Sequence, residues 1–272
     1  MSAIFKKSKK RLFAAPKTKL GRRIRDPFGN LVLLKRVLTS ILGAATYRRF
    51  NIVNKTQVEG MEYLKELPET NVLFVSNHQT YFADVMVLYH IFASAKWRLK
   101  NNANPIYLLL PRAKTYYIAA EETMKDSGWL PKIFSYAGAV TIKRSWRHKG
   151  EAIKRGADIK APDKIKKALD YGWVITFPQG TTTPDAPIQR GTAHLIKSFN
   201  PMVVHVKIDG FREAFDKKGL RYRKKGVKLS VKFEAPFQFG ADSSIADIQQ
   251  FLEEKILGTQ SSQSNTASSE KE

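Results

Sequence analysis

The chain has 272 residues, 43% hydrophobic and 11% aromatic, enough to build one sizeable core. It holds no cysteine, which excludes disulfides, thiolate metal sites and a cysteine nucleophile, and which fits a reducing compartment. Lys and Arg number 47 against 24 Asp and Glu, a net charge of +23, so the surface must attract something anionic: nucleic acid, a phospholipid surface, an acidic carrier protein or a phosphorylated substrate.

Residues 1–49 carry fourteen basic side chains against one acid, Asp26, and hold much of that excess. After the turn-like Asp26-Pro27-Phe28-Gly29-Asn30, the apolar residues Leu31, Leu34, Leu38, Ile41, Leu42 and Ala45 recur at helical spacing, with Lys35, Arg36, Thr39 and Ser40 between them. The pattern predicts an amphipathic helix with a basic flank. Two placements fit it: in a lipid interface, where each cation over anionic head groups contributes about 1 kcal/mol, or packed on the domain with its basic face in solvent. No segment supplies the roughly 20 uninterrupted apolar residues of a membrane span. Nor does the amino terminus carry a secretory pattern, because its basic stretch is too long and the first apolar stretch, Leu31 to Leu34, is cut by Lys35 and Arg36. A basic arm is expected over residues 1–56, a globular domain over 57–257 and a disordered tail over 258–272, whose polar composition cannot bury a core.

Within the domain, short apolar runs predict strands at Asn71 to Ser76, Ile106 to Leu110, Ala137 to Ile142, Trp173 to Phe177, Met202 to Ile208 and Val227 to Phe233. Helical patterns cover Asp84 to Phe92, Pro162 to Tyr171 and Ile245 to Leu257. The alternation predicts an α/β fold, a single mixed sheet flanked by helices. Leu220 to Phe233 reads as a late hairpin turning at Lys224-Lys225-Gly226, with Val227, Leu229, Val231 and Phe233 on one face.

The stretch NVLFVSNHQTYFAD, residues 71–84, bears most directly on function. A buried strand delivers His78 to a turn, and Asp84 opens the next helix. An imidazole accepts a proton near neutral pH without a large shift, and a carboxylate on its far nitrogen would fix its tautomer and stabilise the imidazolium. The same residues also fit a polar turn with Asp84 as a helix cap. Positions six apart stand about 240° apart around a helix, so contact between His78 and Asp84 requires a non-helical turn at His78.

Two later stretches bring anion-binding chemistry to strand ends, where open α/β sheets place ligands. Gly138 to Arg144 ends a strand with Lys143 and Arg144, and the planar guanidinium suits bidentate phosphate binding. Ile175 to Pro184 leaves a strand through Phe177-Pro178-Gln179-Gly180-Thr181 into a hydroxyl-rich turn, with Arg190-Gly191-Thr192 close behind.

Taken in order, these blocks resemble the glycerolipid acyltransferase family, which includes the lysophosphatidic acid acyltransferases. Asn77-His78 with Asp84 resembles the family's His-Asp block, and Gly138 to Arg144 its second block. Phe177 to Thr181 is similar to the Phe-Pro-Glu-Gly-Thr block, and Pro201 to Ile208 occupies the place of the apolar fourth. The resemblance covers roughly residues 55–240. It implies transfer of a fatty acyl group from a thioester, on coenzyme A or acyl carrier protein, to the hydroxyl of a lysolipid such as 1-acylglycerol-3-phosphate, with no metal, cofactor or covalent acyl-enzyme. It further implies that His78 is the base and Asp84 its orienting partner, that Arg144 holds the acceptor phosphate beside Lys143 and Arg190, and that Gln179, Gly180 and Thr181 shape the acceptor pocket.

The sequence departs from the family in three places: five residues separate His78 from Asp84 where four are usual, Gln179 replaces a glutamate, and His205 replaces a proline. The first two leave room for an O-acyltransferase acting on an aminolipid or another hydroxylated lipid; His205 reads as a strand residue. The arm would keep such an enzyme peripheral or monotopic on the cytoplasmic side of an anionic membrane. A basic nucleic-acid-binding protein is the alternative from another class, but there is no zinc-finger spacing or RNA-binding signature, and the arm has few aromatics for base stacking. No nucleic-acid partner is expected. A Gly-x-Ser-x-Gly elbow and a phosphate-loop signature are absent too, which argues against a hydrolase and a nucleotide-binding protein.

Overall fold

The computed structural model describes residues 24–125, 129–143, 147–148, 151–152 and 158–258. The basic cluster before residue 24, the tail after residue 258 and Arg144 lie outside the described residues. Seven strands form one mixed sheet: β1 (Gln57–Glu59), β2 (Val72–Ser76), β3 (Thr115–Ala120), β4 (Ala139–Ile142), β7 (Trp173–Thr176), β8 (Met202–Asp209) and β9 (Ser230–Phe233), in the order β1-β9-β8-β2-β7-β3-β4. β5 (Arg147–His148) and β6 (Glu151–Ala152) form a separate antiparallel ribbon. The pairs β1/β9, β2/β8 and β3/β4 are parallel, while β8/β9 is antiparallel. Helices flank the sheet, giving the expected α/β class.

The described residues group into two compact units, one formed by those up to Arg48 with Pro68–Asn71 and those within Tyr89–Val174, the other by Arg49–Leu67, Val72–Leu88 and those from Ile175 to Gly258. In the first unit, helix α1 (Val32–Tyr47) forms where the apolar period predicts it. Its buried face, however, is Val32, Lys35, Thr39 and Gly43. Of the predicted apolar stripe, Leu31, Leu34 and Ile41 are exposed, as are the neighbouring Leu33 (72%) and Val37. The helix packs through small and polar residues and turns its apolar side outward, which the placement with a solvated basic face does not describe because Lys35 is buried. The cause is specific bonding. Lys35 Nζ donates to the Thr115 carbonyl at 2.7 Å and lies 3.6 Å from the Tyr116 ring centroid. Thr39 bonds back to the Lys35 carbonyl, and Gly43 leaves room for the Leu108 side chain.

The strand expected at Ile106 to Leu110 is instead a 3-10 helix, Pro105–Leu109. Proline at the first helical position and Asn104, whose side chain accepts from Ile106 N–H, set up a helical turn that a five-residue apolar run cannot distinguish from a strand. The strand in this region is β3, whose Tyr116 and Tyr117 are buried, with the Tyr117 hydroxyl donating to the Phe134 carbonyl at 3.0 Å.

In the second unit, every residue of β2 is buried, and the strand runs in register with β8 from Val72 opposite Met202 to Ser76 opposite Val206. Val227, Leu229, Val231 and Phe233 are buried as expected. The hairpin is not formed: β9 begins at Ser230, and its antiparallel partner is β8. Residues before it close on themselves, because the Asp216 carboxylate accepts from Leu220 and Arg221 N–H and only an isolated bridge links Phe215 with Tyr222. His205 sits buried in β8, 3.2 Å from Glu234, and burial lowers its pKa against the opposing pull of that carboxylate. The helix Ile245–Leu257 opens with a capping box between Ser244 and Asp247.

Candidate active site

The second unit holds the turn that carries His78. At the end of β2 the Asn77 amide acts as a substitute peptide: its Nδ2 donates to the Ile208 carbonyl at 2.9 Å and its Oδ1 accepts from Ile208 N–H at 2.8 Å. The chain thus leaves the sheet with its last ladder position satisfied, and His78 projects beyond it. The next helix, Ala83–Lys96, starts only after the turn, so residues 77–82 form the non-helical stretch that contact between His78 and Asp84 requires.

His78 Nδ1 lies 2.9 Å from Asp84 Oδ2. The Asp84 side chain is fully buried and His78 retains 11% exposure. Oδ2 also accepts from the N–H groups of Gln79 (2.6 Å) and Thr80 (2.9 Å), and Oδ1 from the Thr80 hydroxyl (2.7 Å). The carboxylate therefore organises the turn and meets the imidazole at once, so the turn and the His-Asp pair, read from sequence as alternatives, coexist in one geometry. As an acceptor it fixes Nδ1 as the protonated nitrogen of neutral His78 and leaves the Nε2 lone pair available. The Phe177 ring stacks on the imidazole at 3.9 Å between centroids and 16° between planes. The first and third sequence blocks meet through that contact.

Beyond Phe177 the chain turns tightly, with Gly180 N–H donating to the Phe177 carbonyl at 2.9 Å. Gln179 is buried and its amide donates to the Ala186 carbonyl at 3.2 Å. Thr181 is buried with its hydroxyl 3.0 Å from that of Thr183. Arg190 is exposed at the start of the helix Gly191–Phe199. The second unit thus contains His78, Asp84, Gln179, Gly180, Thr181 and Arg190. Lys143 belongs to the first, exposed at the end of β4, with its backbone N–H donating to Asp158 at 3.1 Å.

Sequence reasoning passed over Gln79. Its Oε1 accepts from Phe211 and Arg212 N–H, and its Nε2 donates to the Ile208 carbonyl and Asp209 Oδ1, which ties the turn to the end of β8. Behind the turn, Tyr81 and Phe82 N–H donate to the Lys217 and Lys218 carbonyls. Gly219 (φ +78°) lies so near that a Cβ would fall 2.5 Å from Ala83 N. The available signal was the run of polar residues Asn77-His78-Gln79-Thr80 straight after an apolar strand. Among the described residues, no group of three or more His, Cys, Asp or Glu side chains could hold a metal ion, and no helix is long and apolar enough to cross a membrane.

The family model described as Acyltransferase matches residues 55–209, more than half of the chain, and the chain belongs to that family. The match spans the region in which the sequence blocks occur in family order. Among solved structures, the chain is similar to the crystal structure of the 1-acyl-sn-glycerophosphate (LPA) acyltransferase PlsC from Thermotoga maritima, with a TM-score of 0.52 and 17% identity over 93% of this chain and 86% of that one. That likeness is one of fold. No curated protein matches the chain.

Proposed function

We propose that the protein moves a fatty acyl group from a thioester of coenzyme A or acyl carrier protein to the hydroxyl of a lysolipid such as 1-acylglycerol-3-phosphate, with His78 as general base. The His78–Asp84 pair carries this reading: a carboxylate with four donors holds one nitrogen, and the other is left to accept. His78 Nε2 takes the acceptor hydroxyl's proton as the oxygen attacks the thioester carbonyl. The tetrahedral adduct collapses with release of thiolate, which recovers the proton from the imidazolium. Atoms and charge balance with no covalent enzyme intermediate. Asp84 stabilises the imidazolium, and Phe177 holds the ring plane. Arg144 takes the acceptor phosphate with Lys143 and Arg190, and the Gln179 to Thr181 turn bounds the acceptor.

The exposed apolar side of α1 supports a peripheral position on an anionic membrane, where lysolipid resides. Leu33, Leu34, Val37 and Ile41 would enter the interface while the basic arm meets anionic head groups. A cytoplasmic-side location follows from that reading. The test is acyl transfer to a panel of lysolipid acceptors with coenzyme A and carrier-protein donors. Transfer to 1-acylglycerol-3-phosphate is expected. Transfer only to an aminolipid or to a phosphate-free lipid would remove Arg144 from its role, and no transfer from either donor would remove the proposal.

A further inference from the structure

A basic pocket lies beside the His78 turn within the second unit. Its volume is about 640 Å³, and it is lined by Gln79, Asp209, Gly210, Arg212, Glu213, Arg223, Lys224 and Lys228. Four cations face two carboxylates, and both carboxylates are engaged locally. Glu213 holds Lys224 at 2.6 Å, and Asp209 Oδ1 accepts from Gln79 Nε2 and from Gly210 N–H. Among the described residues neither carboxylate forms an ion pair with Arg212, Arg223 or Lys228.

The walls come from separate parts of the chain and are fixed by backbone. Gly210 adopts φ +82°, and a Cβ there would fall 2.5 Å from the Lys228 carbonyl, so the segment leaving β8 closes directly on the segment entering β9. Arg212 is half-buried, and its Nη2 donates to the Thr182 carbonyl at 3.0 Å, which brings its guanidinium to the third-block turn. Gln79 connects the two sites: its backbone N–H binds Asp84, and its side chain lines the pocket.

We propose that this pocket binds a phosphate ester of the acyl donor. The inference rests on the acyl-transfer reading above, in which Arg144 serves the acceptor's headgroup. The reaction needs a second substrate, and both classes of thioester donor carry phosphate, as the phosphodiester of phosphopantetheine or as the several phosphates of coenzyme A. Two planar guanidinium groups and an ammonium converging on one cavity match that chemistry. Gln79 ties the pocket to the His78 turn, and the pantetheine arm supplies the span from an anchored phosphate to the thioester at the base.

Calorimetry on the full chain tests it with coenzyme A and with holo acyl carrier protein as probes, and with 1-acylglycerol-3-phosphate in neutral micelles as the contrasting ligand. In Arg212→Gln/Arg223→Gln, the donor that the unaltered protein binds should weaken about tenfold or more, as lost charge-assisted contacts to phosphate predict. Micellar acceptor binding should stay within twofold. Because Arg212 supports Thr182, the pair Arg223→Gln/Lys228→Gln, both exposed in this structure, is measured alongside and should weaken the donor in the same direction. Unchanged donor affinity in both variants, weakening of the acceptor instead, or no binding of either donor to the unaltered protein overturns the inference. Acyl transfer by the same proteins separates the two claims: turnover with an unchanged donor KM removes the pocket and leaves the reaction standing. Absence of transfer by the unaltered protein removes the reaction, and the binding data still decide the pocket.

Discussion

Asp84→Asn separates the charge of the carboxylate from its hydrogen bonds. Three donors converge on Oδ2, namely His78 Nδ1, Gln79 N–H and Thr80 N–H, whereas Oδ1 meets only the Thr80 hydroxyl. An asparagine can keep its oxygen at the first position and turn its amide toward the hydroxyl, which can reverse to accept. The turn therefore survives with neutral hydrogen bonds in place of charge-assisted ones, at a cost of about 1 kcal/mol for each of three, or roughly 3 kcal/mol of stability. What cannot be replaced is the anion beside an imidazolium. Taking the charges about 4 Å apart in an effective dielectric near 20, their attraction is about 4 kcal/mol, which corresponds to roughly a thousandfold in rate. Steady-state acyl transfer should therefore show kcat lower by about a thousandfold with acceptor and donor KM within a few-fold, while circular dichroism keeps its native form. A folded Asp84→Asn protein with kcat within tenfold of the unaltered enzyme would refute the reasoning, because the carboxylate would then be holding the turn and nothing more.

Further outcomes follow from the same geometry. Burial lowers the Lys35 pKa from 10.5 to about 7, only partly opposed by Asp26, so between those values the unfolded chain binds more protons than the folded one, and stability rises with pH. Denaturant unfolding should show about 2 kcal/mol gained between pH 7 and 9, absent in Lys35→Met; an equal gain in that variant would exclude Lys35 as the source. Gly219→Ala combines a left-handed backbone with a Cβ 2.5 Å from Ala83 N, so it should cost on the order of 2 kcal/mol in unfolding and reduce turnover by displacing the His78 turn. Unperturbed turnover would show that the loop does not support the site. Leu33→Asn/Val37→Asn/Ile41→Asn alters only exposed positions of α1, and should weaken flotation with anionic liposomes at least tenfold without changing the unfolding midpoint. Equal flotation would place membrane contact elsewhere.

Parts of this molecule were legible in the sequence for identifiable reasons. The β2 strand and the turn after it were readable because a fully buried run of Val, Leu and Phe stops abruptly at polar residues, and because contact between His78 and Asp84 across a six-residue offset requires a non-helical turn. The buried alternation of Val227, Leu229, Val231 and Phe233 was readable for its period of two, but its partner was not, because hydrophobic period says nothing about which strand lies alongside. β3 was missed because its tyrosines bury polar hydroxyls that are satisfied only by distant groups, Tyr117 by the Phe134 carbonyl and Tyr116 by the Asp26 carboxylate. The buried face of α1 was hidden for a related reason. Hydropathy assigns Lys35 to solvent, whereas the fold supplies the Thr115 carbonyl and the face of Tyr116 to receive it. Gln79, Arg212 and Lys228 could not be grouped from sequence at all, since they share a pocket only after β8 returns beside β2 and Gly210 closes on the Lys228 carbonyl.

Replacement of the imidazole is the most direct test of the chemistry. Purified His78→Ala should retain the unfolding transition of the unaltered protein and lose acyl transfer to 1-acylglycerol-3-phosphate by at least a thousandfold in kcat. Turnover near that of the unaltered protein would contradict the account.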